Sequence, residues 1–318
     1  HKGDSLQYGL DLWHKKADGR SSCDYSFHMT IDDWNDEIMA EVPKMFEQGI
    51  SSFKMYMTYP AMMIGDKDLF YALEEIKKYG GIASVHCENA GVIDAPIEQQ
   101  KAGGKLLLRI CEVADTPVVI VHLSTKEALA EVMAARARGQ KVYVETCPHY
   151  LTLDESGYYE ADFRKAAGYI CAPPLRTKDD QNALWKGLYN GAIQTVSTDH
   201  CSFTLEQKEA GREDFTKIPG GLPGVETRGV LLYTFGVATG KITKEKMAEV
   251  LSENPAKLYG AWPRKGAILA GSDADIVVYD PETDTTIRGD SMLSEAKYTP
   301  YEGMQTRGSI AQVYLRGQ

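Results

Sequence analysis

Four residues stand at or near the ends of apolar, strand-like runs: Lys54 in SSFKMYM, His86 in GIASVHCEN, His122 in VVIVHLS and Asp199 in TVSTDH. Neutral imidazole is the commonest zinc ligand. A carboxylate beside a metal can ligate it and shuttle a proton, so Asp199 suits a general base. Packing alone explains such residues poorly at the ends of successive strands. Together they read as ligands converging on one metal centre.

Lys54 allows two readings. A lysine inside an apolar strand is costly unless its charge is removed or paired. Carbamylation by carbon dioxide removes it and creates an anion able to bridge two metals. Snorkelling of the ammonium to the strand's end is the other solution. Tyr59, five residues on, either projects toward the same place or packs as an ordinary aromatic. His200 is either a support for Asp199 or a loop residue. His149, in ETCPHYL, also follows a strand and stays ambiguous. His14 and His28 receive no role. Cys87 and Cys201 lie beside candidate residues and read as small apolar filler.

The elements that must carry these residues alternate. DDWNDEIMAEVPKMFEQG reads as a helix capped by Asp32 or Asp33 and stopped by Gly49. ISSFKMYM follows as a buried strand. DKDLFYALEEIKKYGG, LLLRICEVAD, TKEALAEVMAARARGQ and QNALWKGLYNG read as helices. IASVHC, TPVVIVHLS, KVYVETC and IQTVSTDH read as strands between them. Strict alternation implies parallel βαβ units, and in a (β/α) barrel the chemistry collects at the C-terminal strand ends. After ENPAKLYG the texture changes. KGAILAGSDADIVVYDPETDTTI and SIAQVYLRG are strand-like and Gly-punctuated. We place a boundary near residue 261. YICAPPLRTK (169–178) is a Pro-rich turn after a strand, and the Gly- and Pro-rich IPGGLPGVETR (218–228) is built to present main-chain groups or simply to turn.

The 318 residues suffice for one large α/β domain and a smaller one. A net charge of -10 argues against nucleic acid, whose phosphates need a basic partner. No apolar run is long enough for a transmembrane helix, so no membrane partner is expected. HKGDSLQYGL lacks an apolar signal core, and the six cysteines form no CxxC pair. They read as reduced thiols of a cytoplasmic protein.

WHKKADGRSSCDYSFHM, SSFKMYM, SVHCEN, VADTPVVIVHLST, ETCPHYLTL, YICAPPLRTK, STDHCSF, KIPGGLPGVETR, SENPAKLYG, GSDADIVVYDP and YTPYEGM run in order over nearly the whole chain. Together they resemble the cyclic amidohydrolases, most closely the dihydropyrimidinase/D-hydantoinase branch. The resemblance implies an α/β fold: a (β/α)8 TIM-type barrel over residues 1–260, incomplete at its N-terminus, and part of a small β-sandwich over 261–318. It implies two divalent ions, with zinc expected, bridged by carbamylated Lys54 and a hydroxide. His86 and His122 would bind the second metal. Asp199 would bind the first and move the proton. Tyr59 would hydrogen-bond the substrate carbonyl and its oxyanion, and main-chain groups at Ala172 and near Gly220 would hold the ureide ring. The family often has Ser and Asn at these two places; a main-chain contact survives both changes.

The implied reaction opens a dihydropyrimidine or 5-substituted hydantoin to an N-carbamoyl amino acid. The implied partners are a cyclic ureide and other copies of the chain, in a dimer or tetramer. Alternatives are an allantoinase- or dihydroorotase-like enzyme, or a non-catalytic dihydropyrimidinase-related scaffold. The family's His-x-His pair is absent from the sequence, and the stretch near EQQKAGGKLLL is shorter than the family's. Either segments lie outside the sequence in hand or the protein is a truncated form; the sharp junction at Lys105 favours the first.

Overall fold

The computed structural model describes residues 2–88 and 103–318. The shortened stretch near EQQKAGGKLLL begins outside them. Internal packing divides the chain into two compact units. One holds 1–121 and 127–144, the other 122–126 and 145–318.

In the first unit α1 (Leu6–Ala17), β1 (Met29–Thr30), α2 (Asp36–Glu47), β2 (Ser52–Tyr56), α3 (Asp66–Lys78), β3 (Ile82–His86), α4 (Gly103–Ala114), β4 (Val118–Ile120), α5 (Lys126–Ala137) and the start of β5 (Val142–Thr146) follow one another. The strands pair in parallel, in sequence order. Side chains of a strand alternate between its faces. In β2, Phe53 and Met55 are fully buried while Lys54 and Tyr56 share the opposite, half-buried face. The strands β3 and β4 are buried throughout, as parallel strands covered on both faces must be. Helix α3 turns Leu69, Leu73 and Ile76 inward, and each buried side chain of this kind contributes roughly 2 kcal/mol.

The start of α2 differs from the sequence expectation. Its cap is Asn35, whose side chain accepts the N–H groups of Glu37 and Ile38, both at 3.0 Å. Asp33 instead accepts the N–H of Trp34 at 2.9 Å. Gly49 does end the helix, in the left-handed conformation at φ +82°.

In the second unit the end of β5, Glu145–Thr146, pairs in parallel with β6 (Thr195–Val196). Between them lie α6 (Pro148–Thr152), α7 (Phe163–Ala167) and α8 (Lys178–Tyr189). Strand β6 is shorter than TVSTDH suggests. Ser197 still donates its N–H to the Thr146 carbonyl at 3.0 Å, and the chain then turns away at Asp199. Helices α9 (Leu205–Lys208), α10 (Arg228–Leu232), α11 (Lys244–Ala248) and α12 (Asn254–Leu258) follow.

Beyond Gly260 the chain is strand-like, as read. Strand β7 (Ile276–Asp280) pairs antiparallel with β10 (Ser309–Tyr314), and β8 (Thr285–Thr286) with β9 (Gln305–Thr306). The fold class is α/β, with the parallel βα series of a TIM-type barrel. No helix among the described residues is long and apolar enough to cross a membrane.

Candidate active site

Five of the seven residues singled out for the site lie in strands or within three residues after them. Lys54 lies within β2, and Tyr59 comes three residues after it. His86 is the last residue of β3. His122 and Asp199 follow β4 and β6. Lys54, Tyr59 and His86 belong to the first unit; His122, Asp199, Ala172 and Gly220 belong to the second.

The first group is built by strand register. Parallel pairing sets Lys54 beside Ser84 and Tyr56 beside His86. The Lys54 Nζ stands 5.0 Å from the centre of the Tyr56 ring, a cation–π distance. The Tyr59 and His86 rings lie 5.0 Å apart, tilted by 50°. Tyr59 has φ +66°, and its carbonyl accepts from the N–H groups of Met62 and Met63 at 2.7 and 2.9 Å. That turn aims the phenol back toward β3. His86 is buried, and its Nε2 meets a Glu88 carboxylate oxygen at 2.9 Å. A carboxylate held on one ring nitrogen fixes the orientation of an imidazole for ligand duty.

Cys87 follows His86, and burial pushes its thiol up to about 12. The rise favours the neutral thiol.

His28, given no role from the sequence, stands in this group. Its Nδ1 lies 2.5 Å from the Ser52 Oγ. Desolvation of the ring and the positive charge of Lys54 hold its pKa below the ordinary histidine value. The only signal in the sequence is its place just before β1, a strand too short for its pattern to announce.

The second group gathers around the end of β5. Leu123 donates its N–H to the Glu145 carbonyl at 2.8 Å, and Thr146 Oγ1 donates to the Leu123 carbonyl at 2.9 Å. These bonds seat buried His122 at one side of the strand end. On the other side comes Asp199, whose charge raises the buried Cys147 thiol further above its usual range. His200 Nδ1 accepts from the N–H groups of Gly224 and Val225 at 3.1 and 3.3 Å. It thus ties the end of β6 to the Gly-rich loop.

Ala172 and Gly220 are brought together. A Cβ placed on Gly220 would lie 3.5 Å from the Ala172 Cβ and 3.6 Å from its nitrogen. Gly221 donates its N–H to the Ile170 carbonyl at 3.1 Å. A side chain at Gly221 would meet the Cys201 carbonyl at 2.4 Å, so glycine is required there. Lys208, unmarked in the sequence, is fully buried, and its Nζ donates to the carbonyls of Ile170 (3.0 Å) and Pro219 (2.9 Å).

His149 is buried, and its Nε2 has no hydrogen-bond partner. Desolvation drops its pKa to about 3, so the ring is neutral.

Backbone conformation singles out the same residues. Among the described residues only six other than glycine have positive φ, and three of them are Tyr59 (+66°), His122 (+41°) and Asp199 (+46°). Left-handed backbone costs a non-glycine residue on the order of 1 kcal/mol, and such strain clusters at working sites. Imidazole nitrogens, which each group presents, and carboxylate oxygens are ligand types that a divalent ion of the zinc type takes.

The amidohydrolase family pattern matches residues 20–318. A D-hydantoinase of Streptomyces coelicolor is 40% identical over 338 residues, covering 99% of this chain and 72% of its own. A D-hydantoinase of Geobacillus stearothermophilus is 38% identical, covering 100% of this chain and 72% of its own. Among solved structures, a dihydropyrimidinase from Brevibacillus agri matches with a TM-score of 0.97 at 38% identity, over 100% of this chain and 74% of that one. Polar residues in strained backbone after successive strands, on an α/β scaffold matched over nearly its whole length, have one common explanation: the chain belongs to the amidohydrolase family.

Proposed function

We propose that this protein is a hydrolase that opens a cyclic amide, a dihydropyrimidine or 5-substituted hydantoin, to an N-carbamoyl amino acid. The observation that carries the reading is the left-handed backbone at Tyr59, His122 and Asp199, residue types that suit this chemistry. Relatives named D-hydantoinase, at 38% to 40% identity, support the substrate class.

Lys54, in its carbamylated form, with His86, His122 and Asp199, would hold two divalent ions, zinc being the expected metal. Bound there, the metals would supply Lewis acidity and a water acidified toward neutral pH. Asp199 takes the proton of the attacking water and delivers it to the ring nitrogen as the C–N bond breaks. Tyr59 donates a hydrogen bond to the oxyanion that develops on the carbonyl. Main-chain groups at Ala172 and Gly220 hold the ureide edge of the ring. Such groups read the ring's N–H and C=O pattern and leave its side chain to other walls.

Residues 1–260 form the barrel part and 261–318 part of a β-sandwich in this reading. Six cysteines outside any disulfide suit a reducing compartment, the cytoplasm, and the chain works as a homo-oligomer, a dimer or tetramer.

The test is ring opening of dihydrouracil and of a 5-substituted hydantoin by zinc-loaded protein, followed as N-carbamoyl product. Asp199→Asn should lose roughly a thousandfold in kcat/KM. Lys54→Ala should lose both bound metal and activity. Zinc-loaded wild type that opens neither ring would refute the reading.

A further inference from the structure

Lys208 is the one lysine or arginine among the described residues that is buried from solvent. It ends α9, a single turn fixed by a capping box: the Thr204 Oγ1 accepts from the Gln207 N–H at 3.2 Å, and the Gln207 side chain accepts from the Thr204 N–H at 2.8 Å. From there the Nζ reaches two carbonyls far apart in sequence, Ile170 and Pro219.

An ammonium in such a place is expensive, and here no carboxylate shares the cost. Main-chain carbonyls usually find main-chain donors, and Ile170 already has one in the Gly221 N–H, at 3.1 Å. The lysine therefore does more than satisfy a stray acceptor. Pro219 immediately precedes Gly220, and Ile170 comes two residues before Ala172. The two carbonyls it joins belong to the two segments that meet at Ala172 and Gly220.

We propose that Lys208 is a positioning residue, a buried cross-brace that sets the spacing of the 170–173 and 218–221 segments and thereby the affinity for the cyclic ureide. The inference rests on the reading that these two segments hold the ring. Main-chain hydrogen bonds to the ureide require both segments at fixed separation; neither is part of a strand, and one direct bond, Gly221 N–H to the Ile170 carbonyl, and the two from Lys208 join them. Lys208 touches no candidate metal ligand, so its loss should act on binding more than on the chemical step.

The experiment compares zinc-loaded wild type with Lys208→Met, which keeps the apolar stem and removes the donors. Lys208→Gln, which keeps two donors on a shorter stem, serves as the second variant. The measurements are KM and kcat for a 5-substituted hydantoin, zinc content, and exchange of the Gly221 amide by NMR.

Lys208→Met should raise KM about tenfold, change kcat by less than about threefold, leave zinc content unchanged and speed Gly221 exchange about tenfold. Lys208→Gln should fall between it and wild type. Unchanged Gly221 exchange would overturn the brace. Faster exchange with wild-type KM would overturn its bearing on substrate. A fall in thermal stability with KM unmoved in the folded fraction would make Lys208 merely structural. Inactive wild type would sink the functional reading itself, whereas active wild type with an unaffected variant sinks only the role of Lys208.

Discussion

Lys208 is fully buried, and desolvation pulls its pKa from 10.5 to about 8, against the opposing pull of the Cys171 and Cys201 thiols. Between these two values the unfolded chain holds a proton that the folded chain has released. Stability therefore rises with pH across that window, because the fold no longer carries a buried charge. Relative to Lys208→Met, wild type should gain roughly 3 kcal/mol between pH 8 and pH 10.5. Urea unfolding of both proteins at the two pH values checks this, and equal gains would refute it. In LEQKEAG this lysine looks like any solvated helix charge. Burial is a property of what surrounds α9, and none of that is local. His28 was passed over for the same reason: its partners are Ser52 and Lys54, brought by pairing of β1 with β2. By contrast, Lys54, His86, His122 and Asp199 stand out in the sequence, because a polar residue in or after an apolar run conflicts with its surroundings.

Elements are joined by residues that serve two of them at once. Asp180 is the third residue of α8 and is buried. One oxygen accepts the N–H and hydroxyl of Thr177 at 3.2 and 2.7 Å, closing the capping box. The other accepts the Lys126 N–H at 2.9 Å, four residues after His122. Asp180→Ala strands these donors and should cost about 2–3 kcal/mol. Asp180→Asn keeps an acceptor and should cost less. Chemical denaturation of the two variants gives the comparison, and equal losses would mean that the acceptor geometry is unimportant. Elements themselves were well marked, since hydrophobic period is a local signal. Their ends were not. Asn35 rather than Asp32 or Asp33 caps α2, because several oxygen-bearing side chains compete over four residues and only the final backbone path selects one. The strand read in TVSTDH ends at Val196, three residues before the left-handed turn at Asp199.

For the whole molecule the decisive property is metal. Dialysis of the holoprotein against a strong chelator should abolish ring opening and lower the unfolding temperature, since a ligand that binds only the folded chain stabilises it by mass action. Added zinc should restore both, at about two ions per chain. Retention of full activity after complete metal removal would contradict the proposed chemistry.

The sequence by itself determined the class of fold and the polar residue types placed in and just after its strands. It could do so because side-chain period and polarity are written residue by residue. Only the tertiary structure decided that Ala172 and Gly220 meet, that Lys208 is sealed beneath them, that His28 faces Lys54, and that Tyr59, His122 and Asp199 sit in strained backbone. Each depends on segments far apart in sequence, and such contacts are set by the packing of whole elements, which no local pattern encodes.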